Sequence, residues 1–362
     1  MNQTTAAFSG SYREARAKFL AAATQAGLQV QSYVHPDKGR EGEELAMDVA
    51  LDGPAGADKL LIVTSACHGV EGYCGSGIQV LAVGDAAWRQ KARDAGVAVL
   101  YVHALNPYGF SHIRRTTQEN VDLNRNFHDY DRPLPPNEAY REIHELLLPP
   151  EWPASADNAQ AVSDYIATRG LLAWQAAISG GQREFAEGLF FGGTKPCWSN
   201  TTYRQVLRDY ARHATRLAWI DIHTGLGPSG VGERIFAGRD DRAAIARARQ
   251  WWGDKVTSIY DGSSTSAFLT GMAFAAAYEE CPQAEYTGIA MEYGTVPVFE
   301  VMHALRAEHW LNNHPEAPAE QAADIKQQMM DAFYTDTDAW KAQVALQARE
   351  ALFQAVDGLA GG

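Results

Sequence analysis

Three short stretches set residues of metal-binding type just past a run of buried-strand character. The first is Ser65-Ala66-Cys67-His68-Gly69-Val70-Glu71-Gly72, with a histidine and a glutamate three apart after the apolar run KLLIVTSA. The second is Ile220-Asp221-Ile222-His223-Thr224-Gly225, and the third is Ala290-Met291-Glu292-Tyr293-Gly294-Thr295. Two imidazoles and one carboxylate form the set that holds a catalytic Zn²⁺ with a fourth position open for water. Cobalt or manganese would also accept such donors. Zinc brings the pKa of that water towards neutrality and polarises a carbonyl. A further carboxylate outside the ligand set would take the proton and pass it to a leaving amine. Glu292 suits that part, because a carboxylate ending an apolar run needs a partner or a task. Between these stretches lie Asn106-Pro107-Tyr108-Gly109-Phe110, Arg114-Arg115-Thr116 and Val121-Asp122-Leu123-Asn124-Arg125-Asn126-Phe127. They read as a turn followed by guanidinium groups with amide neighbours, suited to forked hydrogen bonds with carboxylates and developing oxyanions.

Such residues need a frame, and in open α/β sheets ligands gather at the carboxyl ends of the strands. Helical spacing of apolar residues covers 11–26, and strand-like runs follow near 29–34 and 45–51. The run 59–66 leads through a loop into a helix over 78–83, the start of a βαβ unit. Gly72, Gly75 and Gly77 in that loop suggest a backbone turning tightly beside the metal. Further buried strands are expected at 97–103, 216–222 and 288–292, then a helix to about 313 and a mostly helical 319–359. Fully apolar strands imply a sheet covered on both faces. The expected architecture is an α/β protein with a parallel or mixed sheet sandwiched between helices. The stretch 131–153 carries six prolines and one helix near 138–147, and 154–213 adds helices and GLFFGGTKPCWSN. The chain is expected to be one domain over 1–362, with an insertion at about 131–213 and a helical C-terminal segment at about 319–359.

Composition bounds the partners. The 362 residues are 46% hydrophobic and 21% charged, an ordinary globular balance that excludes a disordered, collagen-like or coiled-coil chain. Lys and Arg number 31 against 44 Asp and Glu, and the net charge of −13 repels nucleic-acid phosphates and anionic lipid. No run reaches the roughly 18 apolar residues that span a membrane. The opening residues lack a basic start followed by an apolar core, so no signal peptide is expected. Cys67, Cys74, Cys197 and Cys281 form no CxxC pair. Free thiols in a reducing cytoplasm are the expectation. There is no HExxH, no phosphate loop and no GxSxG elbow, and the glycine spacing is not GxGxxG.

In order, HGVEG, NPYGF, RRT, DLNRNF, DIHTG and MEYGT resemble the zinc carboxypeptidase (M14-type) superfamily, including its succinylglutamate desuccinylase and aspartoacylase branch. The similarity runs from about residue 60 to residue 297, and GLFFGGTKPCWSN resembles an uncharacterised bacterial group of M14-like proteins. The resemblance implies a mixed sheet of about eight strands between helices and one zinc at the strand ends. It casts His68, Glu71 and His223 as zinc ligands and Glu292 as general base and acid. It gives Arg114 the scissile carbonyl, with Arg115 as the fallback, and Asn124 and Arg125 a substrate carboxylate. Three departures stand out. The interval from Arg125 to His223 is long, and no pocket residue names the side chain preferred beside the cut. The mobile tyrosine of the carboxypeptidases has only Tyr260 as a counterpart, with Tyr278 and Tyr286 behind it.

The expected function is zinc-dependent hydrolysis of an amide next to a free carboxylate, with a metallocarboxypeptidase favoured. An N-acyl-amino-acid deacylase and a non-catalytic zinc- or carboxylate-binding protein are the alternatives. The expected partner is a peptide or N-acyl amino acid, with no nucleic acid and no membrane. The helical C-terminus is a candidate for packing in a homo-oligomer.

Overall fold

The structure, a computed structural model, describes residues 3–361. Its strands are β1 (Val30–Lys38), β2 (Glu44–Asp52), β3 (Lys59–Thr64), β4 (Val97–His103), β5 (Arg216–Ser229), β6 (Gly232–Phe236) and β7 (Glu285–Gly294). They form one mixed sheet in the order β1-β2-β4-β3-β5-β7-β6. The four central strands β4, β3, β5 and β7 run parallel, and antiparallel strands flank them on both sides.

Alternation along the central strands sorts side chains into two cores. Val97, Val99 and Tyr101 of β4 join Leu61, Val63, Ala218 and Ile220 on one face. Ala98, Leu100 and Val102 join Leu60, Ile62, Leu217 and Trp219 on the other. Because both faces are dry, every residue of β4 is buried, which explains its unbroken apolar run. Helices Tyr12–Gln25, Gly72–Gly84 and Asp338–Gly361 cover the first face, and Trp198–Tyr210 and Ala275–Glu280 cover the second.

The sheet has seven strands where about eight were expected. β6 (GERIF) carries no apolar run long enough to announce itself, and it gains its place by edge pairing with β7. The glycines after β3 do not make a turn. They lie inside helix Gly72–Gly84 and let neighbours approach: a Cβ on Gly75 would stand 2.7 Å from Ser65 Cβ, and one on Gly77 2.4 Å from the Phe8 ring. Helix Asp338–Gly361 buries Trp340, Val344, Leu352 and Val356 in the core of its own chain. The 131–213 stretch contributes helices Glu138–Leu147, Ala156–Arg169 and Leu171–Ser179, and Tyr140, Ile143, Trp174 and Ile178 join the same core. The four cysteines are buried free thiols, and among the described residues no helix is long and apolar enough to cross a membrane.

Candidate metal centre and its cavity

The carboxyl ends of three neighbouring parallel strands supply the centre. Thr64 of β3 stands opposite Asp221 of β5, and His223 of β5 stands opposite Glu292 of β7. His68 follows β3, and a single 3₁₀ turn, Gly69–Glu71, returns Glu71 to it. Only a hydrogen fits at Gly69, where a Cβ would lie 2.1 Å from the carbonyl carbon of Gly109. That close approach lets Gly69 N and Val70 N donate to Arg115 O at 3.1 Å and Arg114 O at 2.8 Å. The arginine loop is thereby tied to the turn that carries Glu71.

His68 Nδ1 lies 2.8 Å from Glu71 Oε1, and His223 Nδ1 lies 2.9 Å from Glu71 Oε2. The two Nδ1 atoms approach to 3.3 Å. All three residues are buried. Lone pairs crowded this closely out of water require a shared proton or a shared cation between them. The donor atoms lie within 4.8 Å of one another and are of the kind zinc takes, so the residues fit the ion. Cys67, Asp221 and His223 form a second such group. Burial, reinforced by Asp221, pushes the Cys67 thiol well up, which disfavours the thiolate a metal would need.

The outer imidazole nitrogens are also engaged. His223 Nε2 is 2.7 Å from Asp221 Oδ2, and Asp221 is itself held by the Thr64 hydroxyl. His68 Nε2 lies 3.4 Å from Asp122 Oδ1 and accepts from Arg115 Nη2 at 2.7 Å. Carboxylates behind ligating histidines set ring orientation and basicity. Burial alone would raise the Glu71 carboxyl, but the two imidazoles bring it down to about 2. His223 is raised despite its burial, because Asp221 and Glu71 favour the imidazolium.

Glu292 lines the cavity beside these residues, and Leu226 N donates to its Oε1 at 3.0 Å. Burial, then the negative charge of Glu71, pushes its carboxyl up to about 7. The cavity has a volume of about 180 Å³ and is lined by His68, Glu71, His223 and Glu292 together with Arg115, Asn124 and Arg125. Asn124 Oδ1 accepts from Ala273 N at 2.8 Å. Arg125 donates through Nε and Nη2 to Ser179 O at 2.9 and 2.6 Å, and through Nη1 to Asn124 O at 2.9 Å.

Arg114 does not reach the cavity. Its Nε donates to Glu308 Oε1 at 2.7 Å and its Nη2 to Asn120 Oδ1 at 3.1 Å. The carbonyls of residues 114 and 115 both pair with the 69–70 backbone in a bend, and the two side chains leave that bend for different partners. Arg115 is the one of the pair that faces His68 and Glu71. It donates to Asp122 Oδ2 at 2.9 Å and lies 3.4 Å from Glu71 Oε1. Tyr260 stays out as well: its hydroxyl donates to Gly238 O at 2.8 Å, and its neighbour Ile259 lines the cavity instead. Tyr278 and Tyr286 are tied to Arg239 N and Ala237 O at 3.2 and 2.8 Å.

Sequence reasoning passed over Asp122, Asp221, Ser179 and Phe190. Asp221 had a signal, since it precedes His223 by two on a strand and so shares its face. Ser179 contributes only a carbonyl, which no side-chain pattern reveals.

No curated protein matches the chain. Among solved structures, thrombin-activatable fibrinolysis inhibitor aligns at a TM-score of 0.56 and 11% identity, over 97% of this chain and 74% of its own. The bovine form, solved with a tick carboxypeptidase inhibitor, aligns at 0.50 and 11% over 98% of both chains. Carboxypeptidase A from Helicoverpa armigera aligns at 0.42 and 12%, over 89% of this chain and 73% of its own. The chain thus shares the fold of thrombin-activatable fibrinolysis inhibitor. Residues 8–347 match a single family across most of the chain, so the protein belongs to the family described as "protein of unknown function", DUF2817.

Proposed function

We propose that the protein is a zinc-dependent amide hydrolase that acts next to a free carboxylate, with a carboxypeptidase as the favoured form. The observation that carries this reading is the union, in one cavity, of the His68–Glu71–His223 group, Glu292 and two arginines. The fold supports it, being shared with thrombin-activatable fibrinolysis inhibitor, whose bovine form is solved with a carboxypeptidase inhibitor. The ion, when held by His68, Glu71 and His223, supplies Lewis acidity and makes a water acidic. Glu292 accepts the proton of the attacking water and returns it to the leaving nitrogen. A carboxyl raised to about 7 is matched to that exchange near neutral pH. Arg115, rather than Arg114, points N–H groups towards charge developing on the carbonyl oxygen. Asn124 and Arg125 hold the substrate carboxylate and so fix which amide lies by Glu292.

A deacylase of N-acyl amino acids is the second reading, favoured by the narrow cavity. Gln175 Nε2 donates to Thr265 O at 3.3 Å, joining helix Leu171–Ser179 to the loop whose Ser266 and Leu269 also line the cavity. The test is to assay the zinc-loaded protein on a peptide library and on a panel of N-acyl amino acids. Release of C-terminal residues from peptides is expected. Turnover confined to the acyl amino acids would favour the second reading, and stoichiometric zinc with turnover of neither would leave a binding protein.

A further inference from the structure

The cavity that joins the ligand group to the two arginines has a one-sided chemistry. Among the described residues, every titratable side chain in its lining already belongs to the ligand trio, to Asp221, to Glu292 or to the arginine pair. The rest of the wall is largely apolar, and the part nearest Arg125 comes from the 131–213 stretch. Ser179 O accepts two N–H groups of Arg125, which sets the end of helix Leu171–Ser179 against the guanidinium. The same helix turns Trp174 and Ile178 into the cavity lining. Phe190, in the GLFFGG segment, places its ring 4.8 Å from Arg115 Cζ and 5.6 Å from Arg125 Cζ. It holds φ at +52°, a left-handed value that costs energy in a non-glycine residue. Neighbouring backbone ties hold it there: Gln182 N donates to Phe190 O at 3.1 Å and Asp122 N to Phe191 O at 2.7 Å. A strained aromatic pinned between two arginines marks a surface whose position matters.

Resting on the reading that Arg125 takes the substrate carboxylate, we propose that the preferred substrate bears a bulky, uncharged apolar side chain, aromatic or branched aliphatic, on the carbon beside that carboxylate. Trp174, Ile178 and Phe190 form the wall that selects it. A lysine or arginine side chain laid along this wall would find no carboxylate outside the reaction set, and burying an unpaired cation is costly. An acidic side chain would add a carboxylate to a space already holding Glu71, Asp221 and Glu292. The 131–213 stretch thus acts as the selectivity element of the cavity.

The experiment uses the zinc-loaded full chain and one constant N-acyl group, varying the released amino acid among Phe, Leu, Gly, Lys and Glu. kcat/KM for Phe and Leu is expected to exceed that for Lys and Glu by about 100-fold, with Gly between. Ile178→Asp, which adds a carboxylate to the wall, is expected to shift the preference towards Lys. Phe190→Leu, which keeps the wall apolar, is expected to lower the rate on Phe more than on Leu. Binding of N-acetyl-phenylalanine and N-acetyl-lysine to the metal-free protein, followed by calorimetry, reads the same preference without catalysis. Equal kcat/KM for Phe and Lys, or equal affinity for the two ligands, would overturn the proposal and leave the hydrolase reading standing. Zinc binding with no turnover of any substrate would instead remove the hydrolase reading, and this inference with it.

Discussion

Two glutamates lie beside the arginine pair, Glu292 half-buried at the cavity and Glu308 fully buried, and their acidities diverge. Glu292 opens onto the cavity with one backbone N–H donor and Glu71 nearby, and its carboxyl is pushed up to about 7 by burial and then by that charge. Glu308, sealed between helix Val298–Asn313 and helix Ala319–Phe333, takes Arg114 Nε and Lys326 Nζ on one oxygen, each at 2.7 Å. Burial would raise it too, but the two cations bring it down to about 2. Partners, not depth, decide the charge state. On the proposed function, the divergence separates a region suited to exchanging a proton from one that keeps its ions fixed, with Arg115 lying by the first and Arg114 by the second.

The comparison breaks most directly at Glu292. Glu292→Gln is expected to lower turnover by about 10²- to 10⁴-fold while zinc content and folding persist. Wild-type rates in that variant would end the assignment of the base.

Next come the arginines and Glu308. Arg115→Met is expected to cut kcat/KM by about 10²- to 10³-fold with little change in melting temperature. Glu308→Ala should do the reverse: it strands Arg114 and Lys326 and costs about 3–5 kcal/mol of stability, while specific activity of the folded fraction stays near wild type. Thermal melts and kinetics on both variants decide the matter, and a catalytic collapse in Glu308→Ala without loss of stability would erase the distinction between the regions.

A smaller effect is expected one residue further out. Asp221→Asn removes the charge behind His223 and should weaken zinc binding by about 10- to 100-fold, read by competition with a chromophoric chelator.

The subtlest contrast is in pH. A base with a raised carboxyl must lose its proton to act, so kcat/KM should fall as pH drops through a midpoint between the ordinary carboxylate range and about 7. A bound cation moves that midpoint towards the lower end. For stability the signs oppose. The raised Glu292 costs stability once pH passes the unfolded carboxylate value, and the cost is complete above about 7. In metal-free protein, Glu292→Gln should therefore melt higher at alkaline pH and show no gain at acid pH. The depressed Glu308 contributes stability above the unfolded value and loses it as pH falls towards about 2, so the penalty of Glu308→Gln should fade in acid. Parallel melting curves for the two glutamine variants would contradict the contrast.

Much of the frame was legible because it rests on local periodicity. KLLIVT and VAVLYVH announce strands dry on both faces, and β3 and β4 occupy the expected stretches. The helix expected near 138–147 spans Glu138–Leu147. β6 was not legible, since an edge strand needs no apolar run. The glycines after β3 misled, because a Cβ-free helix surface and a turn use the same residue for different reasons.

By itself, the sequence established which residue types stand at the strand ends and that a parallel core would bring His68, Glu71, His223 and Glu292 to one edge. Chain order along parallel strands carries that information. Only the tertiary structure chose Arg115 over Arg114, tied Tyr260 to Gly238 and set Ser179 O and Phe190 around Arg125. The direction of a loop side chain depends on backbone ties to segments far away in sequence, and no local pattern encodes them.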